Sequence, residues 1–133
     1  MMAQSERRNP RTVLVVDDEQ DILILLKLIL ETHGYRALLA NGAESAMRFL
    51  GQENLALDLL LTDVVMPGMS GRELAERLAS AHPKMKVLYM SGYTDDAVVR
   101  HGVLAEGTAF LQKPFTPEVL LGKVRDVLDA SMK

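Results

Sequence analysis

The chain contains no cysteine, which excludes a disulfide framework and a thiolate metal site. It has no long apolar run either. The longest purely apolar stretch, Ile22 to Leu26, falls far short of the roughly 20 residues that span a bilayer. The first residues, Met1 to Arg11, are polar and charged and lack the apolar core of a signal peptide. A basic excess is missing too: 15 Lys and Arg against 18 Asp and Glu give a net charge of −3. No cationic surplus is left to grip a nucleic-acid backbone. No Gly-x-x-x-x-Gly-Lys loop occurs, so a P-loop nucleotide site is unsupported. The expectation is a cytoplasmic protein with neither a membrane nor a nucleic acid as partner. At 133 residues, 48% hydrophobic and 25% charged, the chain has the size and make-up of one globular domain.

What is present is an alternation of short apolar runs and longer helical patterns. Strands are predicted over 12–16, 35–39, 58–62, 86–90 and 109–112. Helices are predicted over 19–32, 42–51, 70–81, 94–104 and 116–130. Strict alternation of this kind calls for a parallel sheet covered on both faces. Five such units match an α/β, doubly wound, flavodoxin-like fold with strand order 2-1-3-4-5. The strands are apolar throughout, as strands buried on both faces must be. Ser70 and Glu73 form a capping-box pattern that opens the third helix. Thr116 before Pro117 places a cap ahead of a proline at the first helical position of the last.

Two helices fit less well. In the first, Ile22, Leu25, Leu26 and Ile29 make one stripe, while Leu23, Ile24, Leu28 and Leu30 fall largely outside it. A surface helix needs only one stripe, so Ile24 and Leu28 are expected to be partly exposed and to dock a partner. The fourth contains Gly102 and is followed by Gly107, which predicts a short or loose helix.

The polar residues that matter sit at strand ends. Val16 runs into Asp17 and Asp18, Thr62 into Asp63, Met90 into Ser91, and Gln112 into Lys113. In an open parallel sheet, function collects just past the carboxyl ends of the strands. Three carboxylates drawn together there repel one another unless a cation is present. A hard divalent ion such as Mg²⁺ suits them, since it takes oxygen ligands and keeps several waters. Asp18 and Asp63 can each supply one oxygen, the Val65 backbone carbonyl a third, and Asp17 can hold a coordinated water. Asp63, in a turn before Met66-Pro67-Gly68, can attack a phosphoryl donor. Lys113 and Ser91 can then bind the phosphoryl oxygens. Each residue alone has a bland explanation as a cap, a turn or a solvated charge. The bland explanations fail jointly, at four of five strand ends. His33, His82 and His101 show no metal-ligand spacing and read as structural or solvent-exposed.

Asp17-Asp18, Asp63 followed by Met66-Pro67-Gly68, Ser91 and Lys113-Pro114-Phe115 resemble the receiver domains of bacterial two-component response regulators. The resemblance covers about residues 11–130. It implies a phosphoacceptor signalling module rather than an enzyme. The phosphoryl group would pass from a phosphohistidine on a histidine kinase or histidine phosphotransferase to Asp63, with Asp17 and Asp18 holding Mg²⁺. It further implies Ser91 as the switch hydroxyl, Phe110 as the switch aromatic and Lys113 as the phosphate-binding cation. The readout would be the face formed by the fourth helix, fifth strand and fifth helix. Phe110 departs from the tyrosine that many receivers carry, and Gly92 from the more usual alanine.

Several stretches, among them 91–96 and 110–116, look like the receivers attached to hybrid sensor kinases. The chain nevertheless begins with its own methionine. The expectation is a stand-alone receiver, with residues 1–11 and 131–133 as tails, 12–130 as the domain, and a monomer or weak dimer as the assembly. A receiver cut from a hybrid kinase is the alternative. From a different class, a Mg²⁺-dependent phosphohydrolase with an aspartate nucleophile would want an acid two residues after Asp63, and that residue is Val65. A pseudo-receiver would have lost an acid or the lysine, and none is missing.

Overall fold

The computed structural model describes residues 10–52, 55–92 and 108–130. Five strands, β1 (Thr12–Val16), β2 (Arg36–Ala40), β3 (Leu59–Asp63), β4 (Lys86–Ser91) and β5 (Phe110–Gln112), form one sheet in the order β2-β1-β3-β4-β5. Every pairing is parallel. The helices among the described residues are α1 (Gln20–Thr32), α2 (Ala43–Ala46), α3 (Gly71–Ala81) and α4 (Pro117–Asp129). The predicted helix over 94–104 lies outside the described residues.

Alternation along each strand divides the core in two. Leu14, Val16 and Leu60 point to one face and pack with Ala43 and Ala46 of α2 and Leu74 and Leu78 of α3. Val13, Val15, Leu59 and Leu61 point to the other and pack with Leu23, Leu26 and Leu30 of α1 and Leu120, Val124 and Leu128 of α4. Successive strand residues face opposite sides, so a sheet covered twice has no polar row, which is why the strand interiors are apolar and the polar residues sit towards the strand ends. Each fully buried leucine contributes about 1.5–3 kcal/mol relative to exposure.

The caps form as expected. The Ser70 hydroxyl accepts from the Glu73 N–H at 3.1 Å, and the Thr116 hydroxyl from the Val119 N–H at 3.2 Å. Three expectations need correction. The buried stripe of α1 is Leu23, Leu26 and Leu30, whereas Leu25 is exposed. With apolar residues nearly all round, the pattern leaves the helix rotation open, and the fit to β1 and β2 decides it. The predicted second helix is a single α-turn over Ala43–Ala46 that tightens into a 3₁₀ segment, Met47–Gly51. The ladder also reaches into the segment read as a tail, because the Arg11 carbonyl accepts from the Arg36 N–H at 2.9 Å.

Candidate phosphoacceptor site

Strand register brings the polar residues together. β1 and β3 pair Val16 with Thr62, so Asp17 and Asp63 are the next residues on adjacent strands. The Val64 N–H donates to the Met90 carbonyl at 2.9 Å, and the Lys113 N–H to the Ser91 carbonyl at 2.8 Å. Asp17, Asp63, Ser91 and Lys113 therefore share one edge of the sheet without any long loop to place them. The Lys113–Pro114 peptide is cis.

The side chains converge as well. One carboxylate oxygen from each of Asp17, Asp18 and Asp63 lies within 4.8 Å of the others. Asp17 is fully buried, and its two oxygens have separate partners. Oδ1 accepts from the Glu19 N–H at 2.9 Å, and Oδ2 from Lys113 Nζ at 2.8 Å. The same ammonium donates to Asp63 Oδ2 at 3.2 Å. Asp18 is exposed and borders an open crevice walled by Asn41, Ser45, Arg48 and Pro67. Ser91 is buried at the end of β4. Phe110 is half-buried against the core cluster that holds Tyr89, its neighbour across the ladder. Val65 is 56% exposed.

The electrostatics follow from one cation among three anions. Burial pushes the Asp63 carboxyl above its ordinary range; Lys113 pulls it down, and Asp17 and Asp18 add to the rise. Burial likewise pulls the Lys113 ammonium down, but its hydrogen bond to Asp17 and the charges of Asp63 and Asp17 outweigh that, and the net direction is up. The two shifts are compatible. The lysine sees two carboxylates, whereas Asp63 sees one ammonium, two carboxylates and little water. The site is short of positive charge, and its donors are all hard oxygens. A divalent cation of the Mg²⁺ type fits that deficit; Asp18, Asp63 and Asp17 are the residues that would hold it.

Of the histidines, the buried His82 donates from Nε2 to the Phe49 carbonyl at 2.9 Å, tying α3 to the 3₁₀ segment. The exposed His33 ring contacts the Ile29 carbonyl at 3.0 Å. Both are structural, and His101 lies outside the described residues. Ile24 and Leu28 are 55% and 64% exposed on α1, and Leu25 beside them is 52% exposed.

Sequence reading missed Gly71, which abuts the backbone of Asp63. The available signal was a poor helix former at the first position of a well-capped helix.

A five-stranded parallel sheet in this order, with an acidic cluster and a lysine at its carboxyl edge, is the arrangement of a receiver domain. Residues 13–125 match the response regulator receiver domain family, and the chain belongs to that family. The response regulator receiver protein CpdR of Brucella abortus is 31% identical over 121 residues, covering 91% of this chain and 99% of that protein. The sensor kinase CckA of the same organism is 32% identical over 118 residues, 89% of this chain but only 12% of the kinase. Other curated relatives are also longer: the chain spans 46% of the response regulator GtcR of Aneurinibacillus migulanus. Among solved structures, a CheY-like receiver domain protein from Methanospirillum hungatei superposes with a TM-score of 0.76 at 32% identity, over 93% of this chain and 98% of that one. The CckA receiver domain superposes at 0.73 with 28% identity, over 88% and 98%. Among the described residues no helix is long and apolar enough to cross a membrane.

Proposed function

We propose that this chain is a single-domain response regulator that accepts a phosphoryl group on Asp63 from a phosphohistidine of a histidine kinase or phosphotransferase. One observation carries the reading. The Asp63 carboxylate stands at a strand end 3.2 Å from the Lys113 ammonium, within a three-carboxylate cluster. An Asp63 oxygen forms the new bond to phosphorus as the bond to the imidazole nitrogen breaks, and the ring, already protonated at its other nitrogen, leaves as neutral imidazole. Lys113 is in place to pair with a transferring oxygen, and Ser91 lies on the neighbouring strand to receive another. Mg²⁺ bound by Asp17, Asp18, Asp63 and the Val65 carbonyl would supply further positive charge against the phosphoryl oxygens. The match across 99% of CpdR is in keeping with a stand-alone regulator.

The product carries about −1.5 to −2 charge at a strand-end loop. That charge favours whichever conformation brings Ser91 and Lys113 toward it. Phe110, at the start of β5, is then the ring that follows Ser91 and alters the readout face around β5 and α4. The protein recognising that face is the downstream partner.

The chemistry is tested by incubating the protein with Mg²⁺ and acetyl phosphate and weighing it intact, beside an Asp63→Asn variant. A gain of one phosphoryl group in the parent alone is expected. No gain in the parent, or an equal gain in both, rejects Asp63 as the acceptor. For the kinase-facing surface, Ile24 and Leu28 present bare apolar area on the helix that begins two residues after Asp18. Replacing both with polar residues should slow transfer from a kinase by about tenfold, the scale of one lost apolar anchor. Uptake from acetyl phosphate should stay the same. Equal slowing with both donors would remove the docking role.

A further inference from the structure

Gly71 opens α3, and its N–H donates to the Val64 carbonyl at 2.8 Å. A Cβ built on it would overlap the Asp63 carbonyl oxygen and stand 3.0 Å from the Asp63 carbonyl carbon and 3.1 Å from Thr62 Cγ2. The first residue of the helix therefore rests on the peptide that follows the phosphoacceptor. We propose that Gly71 is a positioning residue for phosphoryl acceptance: its bare Cα lets α3 seat on the Asp63 peptide, and this seat sets where the Asp63 carboxylate and the backbone at Val65 stand relative to Asp18. The proposal rests on the phosphoacceptor reading above.

Neither partner in this contact can yield freely. β3 is hydrogen-bonded to β1 on one side and β4 on the other, and the Val64 N–H is bound to the Met90 carbonyl. The Asp63 carbonyl also accepts from the Thr62 hydroxyl at 3.0 Å, which fixes the plane of that peptide. On the other side, Leu74 and Leu78 are fully buried and anchor α3 in the core. Carbon atoms pack at about 3.5–4.0 Å, so an alanine at 71 forces a movement of roughly 1 Å. The movement therefore falls on the contact itself, where the Asp63 peptide and the first turn of α3 must share it. A misplacement of about 1 Å costs up to about 100-fold in rate when reacting groups must be aligned.

The test compares Gly71→Ala with Ser70→Ala, which removes the cap of the same helix but adds no bulk against Asp63. Measured for each are the maximal rate of phosphoryl uptake at saturating acetyl phosphate and Mg²⁺, the Mg²⁺ dissociation constant, and the melting temperature. Gly71→Ala should fold, take up the phosphoryl group roughly 10- to 100-fold more slowly, and bind Mg²⁺ several-fold more weakly. Ser70→Ala should melt earlier by a few degrees and keep both values within about twofold. Uptake by Gly71→Ala within twofold of the parent overturns the proposal. So does an equal loss in both variants, which would make the seat a matter of stability alone. If Gly71→Ala does not fold, it is repeated with Thr62→Ser, which removes the methyl group crowding the new Cβ. Failure of both to fold also overturns the proposal, because the seat would then serve the fold and not the site. If the parent itself takes up no phosphoryl group, the phosphoacceptor reading fails separately. The Mg²⁺ constants of the two variants then decide the role of Gly71.

Discussion

Replacing Lys113 with methionine should lower the stability of the metal-free protein by about 3 kcal/mol, the low end for breaking a buried ion pair. In melting temperature that is a fall of roughly 10 °C for a domain of this size. The low end applies because the Lys113 side chain keeps 20% exposure, whereas Asp17 has none. The lysine is the partner of Asp17 Oδ2 and of Asp63 Oδ2 at once. Without it Asp17 keeps its bond from the Glu19 N–H but is left buried, without its cation and beside two other acids. Methionine preserves the length and packing of the side chain, so the loss reports charge rather than a cavity. Mg²⁺ should restore more stability to the variant than it adds to the parent, since the acids it would neutralise are then unopposed. Thermal melts of both proteins with and without Mg²⁺ decide the matter. An unchanged melting temperature would mean that the pair contributes nothing net. An equal Mg²⁺ effect in both would mean that the ion and the lysine do not share the same acids.

The sign of the Lys113 shift agrees with this. Its pKa is raised in the fold, so the folded state holds the proton more tightly than the unfolded chain does. The stabilisation is complete below the ordinary lysine value and is lost as pH rises through the higher folded value. The variant should therefore be insensitive to that alkaline loss.

The site was more legible in the sequence than the surfaces around it. A parallel strand carries its direction in its order, so residues placed directly after apolar runs had to meet at one edge. Asp17, Asp63, Ser91 and Lys113 needed nothing further than the register that pairs Val16 with Thr62 and Ser91 with Gln112. The rotation of α1 was not legible, because a period of 3.6 residues carries no information where nearly every position is apolar. Contact with the sheet chose Leu23 and Leu30 over Leu25. The second helix was overextended for a related reason. Ala43 to Leu50 can continue as a helix locally, and packing against α3 and the bond from His82 to the Phe49 carbonyl favour the tighter turn. Gly71 was the least legible of all. The capping pattern around it explains a helix start and says nothing of the Asp63 peptide, which only the folded chain brings alongside.

Asp63→Asn should do the reverse of the lysine substitution and stabilise the metal-free protein at neutral pH. The Asp63 carboxyl is raised in the fold by burial first, with Lys113 opposing and Asp17 and Asp18 reinforcing. A raised acid binds its proton more tightly when folded. Its stabilising contribution is present below the unfolded carboxylate value and disappears as pH climbs through the folded one. At neutral pH the ionised group is therefore a net cost. Asparagine keeps the shape and removes the charge, while Lys113 retains Asp17 as its partner. Like charges at this spacing repel by about 3 kcal/mol at an effective dielectric near 20. The lost attraction to Lys113 and screening at a site open on the Asp18 side leave a net gain of about 1 kcal/mol, or roughly 3 °C. The gain should shrink as pH falls and vanish where Asp63 is protonated in both states. Mg²⁺ should reverse the ranking, since the parent offers three carboxylates and the variant two. Melting curves across pH 3 to 8, each with Mg²⁺ or with a chelator, separate the two effects. A variant less stable than the parent at neutral pH without metal would show that the attraction to Lys113 outweighs burial and the neighbouring acids.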